Sequence, residues 1–591
     1  MIIETLNDEQ KKAVTASGNI LLTACPGSGK TRVIAHKAAY ELNRLTSSKK
    51  YVVAVTFTNR AADEIVRRID KLGIDTGQLW TGTIHAFCLE WVLKPYSMYS
   101  EKLKNGFSIA DEVANEKLLV ELQKKYFPNN KYVDLNLRIN KDGSYNFKNV
   151  NEQRLIHEYY HTLEQKKQID FNQLLFYSYQ ILSNNKLISE SLANVFSFIC
   201  VDEYQDTQEL QYAIIAEIIK NGNGKANVFF TGDADQAVYG SLGGVAKSHN
   251  EIKGMIGCPL KQLSLSGNYR SSQRIIDFYR QFQTQPIEIM ALGENKKNKG
   301  LITLNTNITK DGVVDEIIRL IRYHINSGVP ESEICVLVPQ WWLITSITKQ
   351  LKSKLPDINF DASGLAPMSK HRENIWHKIS RMFLTEPLPK LYSARRRWAD
   401  EILSELEILL GYSLFEENGI RQFLRIINSI DSSESEGIKY IEDCFRQLIK
   451  LLKINVAKDS VLYEKWQLFF ENINKWINDP DYTVPSDTES FKSFYREISG
   501  VVINTCVGVK GEEFRAVIAY GILNGYIPHW NDIYNQRDKG ESASKKLLYV
   551  ICSRAKDNLH LIAEKGRQTK TKKVLEINKE LNSVKFKFDT I

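Results

Sequence analysis

A chain of 591 residues is longer than one hydrophobic core can organise, and at about 100–200 residues per domain it divides into three or four folded units. Hydrophobic residues make up 43%, enough for globular packing, while 78 Lys plus Arg against 70 Asp plus Glu leave a net charge of +8 that allows a nucleic-acid partner without demanding one. The start, Met1 to Glu9, lacks a basic region followed by an apolar one, no segment reaches about 18 apolar residues, and the eight cysteines form no CxxC pair. These features exclude a secreted or membrane-spanning reading and a zinc or iron–sulfur site, and predict free thiols in a cytoplasmic protein.

The first predicted strand, 19–24, runs into Ala24-Cys25-Pro26-Gly27-Ser28-Gly29-Lys30-Thr31, and a helix begins near Gly29 and continues through Val33, Ile34, Ala38 and Ala39. Small residues at such a junction let backbone N–H groups turn inward around phosphate oxygens at the positive end of the helix dipole. Lys30 then reaches the β/γ-phosphates and the Thr31 hydroxyl holds Mg²⁺. Residues Ala24 to Arg32 are the candidate nucleotide-binding run, with ATP as ligand; the alternative is a glycine-rich turn that matches by chance.

A second apolar strand covers 51–57, and a stretch over 88–194, rich in Lys, Asn, Tyr and Leu, has helical spacing. The strand at 195–201 delivers adjacent carboxylates, Asp202 and Glu203, to its C-terminal end: Asp202 as a second Mg²⁺ ligand, Glu203 to polarise the attacking water. The alternative there is a solvated acidic loop. The strand at 226–232 leads to Gln236, placed to sense the γ-phosphate, and 263–266 completes a parallel α/β sheet. A second series at 300–305, 333–338, 501–505, 515–520 and 559–563 predicts a second α/β domain, interrupted over 370–495 by helical sequence containing Arg395-Arg396-Arg397.

Leu6-Asn7-Asp8-Glu9-Gln10 precedes the phosphate loop, Asn268-Tyr269-Arg270-Ser271 follows the acidic strand, and Tyr549-Val550-Ile551-Cys552-Ser553-Arg554-Ala555-Lys556 comes near the end. In this order of segments the chain resembles the UvrD/Rep/PcrA group of superfamily 1 DNA helicases, over nearly its whole length. The resemblance implies two RecA-like P-loop parallel-sheet core domains, each interrupted by a mainly helical insertion. The first core would take 1–87 and 195–277 around an insertion at 88–194, the second 278–369 and 496–575 around a reduced insertion at 370–495, with a basic tail at 576–591.

It also implies roles for residues. Gln10 would read the adenine edge and Tyr269 stack on the ring. Arg270 from the first domain and Arg554 from the second would be arginine fingers, each kind worth about 10³ to 10⁵ in rate. The alternative for Arg554 is a helix-surface charge; Glu513 is either a contact near ribose and γ-phosphate or a solvated acid. Phe57 resembles the base-stacking residue of a single-strand groove, with Thr58, Asn59, Thr83 and His85 donating to phosphates and Tyr239 beside them. Core packing for Phe57 and a structural role for His85 are the alternatives.

Three departures from the family pattern stand out: Ser241 where a base-stacking tryptophan is usual, Val507 at the usual histidine, and Ala543 and Ser544 in place of paired glutamates. They imply an intact ATP machinery with an altered strand-stepping pocket. The implied activity is an ATP-dependent translocase or helicase on single-stranded or tailed duplex DNA, running 3′ to 5′. The alternative is an ATP-gated DNA sensor subunit partnered by a nuclease or repair factor, as in antiphage defence. No nuclease module and no membrane partner are expected.

Overall fold

Runs such as Tyr51–Thr56 and Ile334–Val338 are apolar nearly throughout rather than alternating, the pattern of strands covered on both faces. The structure, a computed structural model, describes residues 3–130, 133–240, 243–285, 287–362, 374–456, 460–478, 486–495, 500–529, 537–569 and 572–591. Ser241 lies outside them. Among the described residues no helix is long and apolar enough to cross a membrane.

The first sheet contains β1 (Asn19–Ala24), β2 (Tyr51–Thr56), β3 (Leu79–Thr83), β4 (Phe196–Val201), β5 (Asn227–Gly232) and β6 (Leu260–Leu265), in the order β3-β2-β4-β5-β1-β6. Every pairing is parallel. The second sheet contains β7 (Ile302–Asn305), β8 (Ile334–Val338), β9 (Phe360–Asp361), β10 (Val501–Thr505), β11 (Phe514–Tyr520) and β12 (Ala555–Ile562), in the order β7-β12-β11-β8-β10-β9, again all parallel. These are the two RecA-like layers the sequence predicts. The strands missing from the prediction, β3 and β9, are edge strands: β3 carries Gly82 and is half-buried at its other positions, so it lacks the apolar run of its neighbours.

The helices that position the site are α1 (Asp8–Thr15), α2 (Lys30–Leu42), α3 (Asn59–Lys71), α4 (Gln273–Tyr279), α5 (Val313–Asn326), α6 (Trp341–Lys354), α7 (Ile375–Leu384), α8 (Tyr392–Leu410) and α9 (Arg537–Cys552). Helix α2 is tied to the end of α1 by Lys37, whose buried ammonium donates to the carbonyls of Val14 and Ala16 and pairs with Glu41. A buried lysine is tolerated there because its three donors all find oxygen.

The predicted helical segment at 88–194 is of two kinds. Cys88, Val92, Leu93, Leu174, Leu175, Ile181 and Leu182 share one apolar cluster with Val53, Ile199 and Val201 of the first sheet, whereas Leu122, Ile139, Leu155, Ile156 and Tyr159 form a separate small core. The segment at 374–494 has a core of its own, centred on Trp376, Phe423, Phe445 and Phe469. Helix α4 sends Ile275, Ile276, Phe278 and Tyr279 into the cluster of the second sheet.

The final residues, expected as a basic tail at 576–591, are packed. Phe586 and Phe588 lie 4.9 and 5.8 Å from the Phe278 ring, Asp589 pairs with Arg274 at 2.7 Å, and its N–H donates to Ile302. The buried Asn578 donates to Ser544 at 2.7 Å, so one family departure on α9 anchors this segment. Alternating Phe586 and Phe588 between lysines carried that signal in the sequence.

Candidate nucleotide cleft and nucleic-acid track

At the end of β1 the chain turns through Cys25 to Gly29, and Lys30 and Thr31 open α2. Gly27 and Gly29 have φ of +69° and +82°, and a Cβ on Gly27 would sit 2.6 Å from the Arg270 Cβ, so this loop needs glycine both for its turn and for the close approach. Asn268 fixes the outer wall: its amide donates to Pro26 at 2.7 Å and its oxygen accepts from the N–H groups of Arg270 and Ser271, both at 2.8 Å. Burial pushes the Cys25 thiol up to about 12, which makes it packing rather than chemistry.

Gln10 and Asn7 cap α1 reciprocally, and the Gln10 amide donates to the Ser28 carbonyl at 2.9 Å. The Asn7 amide donates to the Tyr269 hydroxyl at 2.6 Å, and Arg32 donates to Thr5 at 2.8 Å. Gln10, Tyr269 and the phosphate loop are thus one connected wall. Tyr269 is 40% exposed, leaving its ring open to a partner.

Strand β4 delivers Asp202 and Glu203 beside this loop. The Asp202 carboxylate accepts from the Glu203 N–H at 2.9 Å. Burial, then the neighbouring Glu203, push Asp202 well above the usual carboxylate range; for Glu203 burial acts the same way, but Lys30 and Lys510 win and hold it below its ordinary value. Adjacent acids are thereby driven apart in proton affinity. Gln236 donates to Asp233 at 2.8 Å, and burial pushes Asp233 up to about 6.

The second domain closes the cleft. Arg554 is 1% exposed, which removes the helix-surface alternative; its guanidinium donates to the Gln236 side chain at 3.1 Å and to the carbonyls of Val550 and Glu512. Arg270 reaches from the other side, donating to Glu513 at 2.6 Å and to the Ser553 carbonyl at 3.0 Å. Glu513 is therefore paired, not a free solvated acid. Burial, then Arg270, push Arg554 below its ordinary value, as two cations in one dry cleft must.

Lys510 and Asp206 belong to the same cluster and were missed by sequence reasoning. The Lys510 ammonium bonds the Asp206 carboxylate, donates to the Gln236 carbonyl at 2.9 Å and lies 3.9 Å from Glu203. Asp206 is pushed up to about 6, burial outweighing Lys510. The available signal was a lysine beside Gly511, in the segment that also holds Glu513.

A track leads away from this cluster. Phe57, at the corner between β2 and α3, is 45% exposed and stacks on Tyr239 with ring centres 4.9 Å apart, which rules out core packing; Lys510 lies 5.3 Å above the Tyr239 ring. Thr58 and Thr83 cap helices by accepting from Ala61 and Ala86, which leaves each hydroxyl hydrogen to donate. Asn59 is exposed at the start of α3, and His85 is half-buried with its ring edge-on to Phe171 at 5.2 Å. Phe57 and Tyr239 are thus together at the cleft's edge, with Thr58 and Asn59 following Phe57.

Residues 6–254 match the family model of the UvrD/REP helicase N-terminal domain. The chain is 24% identical to proteins named ATP-dependent DNA helicase PcrA from Staphylococcus epidermidis and Staphylococcus aureus, over 95% of this chain and 83% of each relative. Over nearly its whole length the chain is similar to helicases of the UvrD/Rep/PcrA kind. Within this UvrD-like frame the matched region runs from the segment holding Gln10 past Tyr239, so the phosphate loop, the acid pair and the aromatic pair fall inside it. Lys510, Glu513 and Arg554 lie beyond it and are brought in by the fold.

Proposed function

We propose that this chain is an ATP-hydrolysing translocase on single-stranded DNA, moving 3′ to 5′ and opening duplex ahead of it, in the cytoplasm, where eight free cysteines are at home. The single observation that supports it is the bond from Arg554 of the second domain to Gln236 of the first. Chemistry completed across a cleft ties the angle between the domains to the state of the nucleotide.

A hydroxyl and a buried carboxylate form an oxygen donor set that suits a hard cation, and Thr31 and Asp202 would hold Mg²⁺. That ion supplies charge neutralisation at the phosphates. Lys30 and the N–H groups from Gly27 to Thr31 hold and orient the triphosphate, Tyr269 and Gln10 hold the base, and Glu203, kept ionised by Lys30 and Lys510, takes a proton from water. Arg270 and Arg554 leave Glu513 and Gln236 to meet the negative charge that spreads over the transferred group. Lys510, joined to both Gln236 and Tyr239, passes closure to the strand.

The test is ATP turnover with and without single-stranded DNA, with Lys30→Ala and Glu203→Gln as dead controls. Stimulation of at least tenfold is expected; equal turnover rejects the reading. Displacement from 3′-tailed but not 5′-tailed duplex checks the direction. Val507, an aliphatic residue in the loop that otherwise reaches Tyr239, favours a second reading, an ATP-gated DNA sensor within a larger assembly. DNA-stimulated turnover without strand displacement, together with a co-purifying partner, would select it.

A further inference from the structure

We infer that residues 584–589 are a positioning segment of the ATP site: they clamp α4 to the second sheet and so make Arg270 a finger carried by the second domain. The inference rests on the ATPase reading above and adds to it the part that aims one arginine. The chain leaves the first sheet at Leu265 and enters the second at Ile302, with Arg270 and α4 between them. Two sets of bonds meet there. On one side Asn268 donates to Pro26 at 2.7 Å and the Tyr269 N–H to Gly27 at 2.8 Å, both in the phosphate loop. On the other the Ser271 hydroxyl donates to Ala555 at 2.6 Å and the Ser272 N–H to Lys556 at 2.9 Å, both at the start of β12. Arg270 is the pivot between them, and its direction follows whatever holds the residues after it.

Those residues open α4, and the segment near the end of the chain grips α4 from outside. Phe586 and Phe588, two residues apart between exposed lysines, both set their rings edge to face against the buried Phe278, with centres 4.9 and 5.8 Å away. Arg274, four residues before Phe278 and so on the same face, pairs with Asp589 at 2.7 Å and lies 5.7 Å from the centre of the Phe586 ring. The same Asp589 oxygen accepts from the Ile302 N–H at 2.8 Å, and the Asp589 N–H donates to the Ile302 carbonyl at 2.8 Å. Asp589 thus fastens α4 to the first residue of β7.

Without this grip α4 keeps Ile275, Ile276 and Tyr279 in the cluster of the second sheet, so the domain stays folded while the helix is free to rock on that face. Rocking shifts the Ser271–Ser272 end and with it Arg270, whose bonds to Glu513 and to the Ser553 carbonyl set its direction. A misplacement of about 1 Å at a group that meets the transition state costs about a hundredfold in rate. Nucleotide affinity is set mainly by the phosphate-loop wall, to which α4 adds the Tyr279 hydroxyl, accepting from Asn268 at 3.0 Å.

The experiment is steady-state ATP turnover, with kcat and KM separated, on full chains carrying Phe586→Ala with Phe588→Ala, Phe586→Leu with Phe588→Leu, or Asp589→Asn. Each is made in the wild-type and in an Arg270→Lys background, with melting temperature as the folding control. The alanine pair is expected to lose about ten- to one-hundred-fold in kcat while KM for ATP moves less than about threefold, and the leucine pair to recover most of that loss. In the Arg270→Lys background the alanine pair should cost less than about twofold more, because a finger already misplaced has no aim to lose. Asp589→Asn, which keeps an acceptor for Ile302, makes the same comparison should the alanine pair unfold. Wild-type kcat in these variants, or the same fold loss in both backgrounds, overturns this inference and leaves the translocase reading standing. Absence of ATP turnover by the wild-type chain overturns both.

Discussion

Lys510 shares charge between the two domains from a buried position: its ammonium, almost fully buried, bonds Asp206 and the Gln236 carbonyl, both of the first domain. Removing one partner of such a pair costs about 3–5 kcal/mol, mostly the penalty for the charge left behind, whereas replacing both with apolar groups is often nearly neutral. Lys510→Met is therefore expected to lower the melting temperature by several degrees and to abolish DNA-stimulated turnover. Lys510→Met with Asp206→Leu should recover most of the melting temperature and none of the turnover. Thermal melts and ATPase assays on the three proteins check this, and a single variant as stable as wild type would refute the pairing. The same logic explains why Lys510 and Asp206 escaped the sequence. Each is an ordinary charge in its own segment, and 304 residues separate them. By contrast Lys30, Asp202 and Gln236 were legible because strand, turn and charge stand together within a few residues, and chain order extended the reading to Arg554.

Between elements, the packing of α5 against β12 turns on a buried histidine pair. The Nε2 atoms of His324 and His560 are 2.7 Å apart, and the His560 Nδ1 is 2.8 Å from the Thr303 hydroxyl. One ring donates and the other accepts, so protonating both would set two N–H groups against each other. Burial, then Arg515, holds His324 down to about 4; burial, then His324 itself, holds His560 lower still. Unfolded histidines take up protons near pH 6.5, so acid favours the unfolded chain: this contribution is present above about 6.5 and is lost as pH falls towards 4, each histidine giving up about 1.4 kcal/mol per pH step of one within that window. Melting temperature is expected to drop between pH 7.5 and 5, and to drop less in His560→Gln, which starts lower at pH 7.5. Parallel curves would refute the role of the pair. The strands around it were legible as apolar runs, because burial on both faces writes itself into composition. The edge strand β3 and the docked segment after residue 575 were not, since half-buried edges and short aromatic alternation look like loop.

At the scale of the whole molecule, the insertion of the second core is latched onto the first core. Asp63 on α3 accepts from Arg381 of α7 at 2.9 Å, pairs through its other oxygen with Arg397 of α8, and Arg397 also donates to Thr81 of β3 at 2.9 Å. Arg381 lies 3.5 Å from the centre of the Trp398 ring, which keeps its guanidinium flat against α8 and aimed at α3. The elements it grips are those that carry the track: α3 begins at Asn59, and β3 ends at Thr83. A movement of the insertion therefore either breaks the latch or pulls on both supports. Asp63→Ala leaves two half-buried cations facing each other, so the insertion should come away while its own core, independent of the first sheet, stays folded. Hydrogen exchange is expected to quicken about tenfold or more at the contact faces of α3, α7 and α8 and to stay unchanged in β1 and in the helix at Gly437–Leu452. The release should depend little on salt in the variant, whereas in the wild-type chain raising salt should mimic it in part, because the pair is only partly shielded from solvent. Unchanged exchange at α3 in Asp63→Ala would show that apolar packing, not the arginine pair, joins the insertion to the first core.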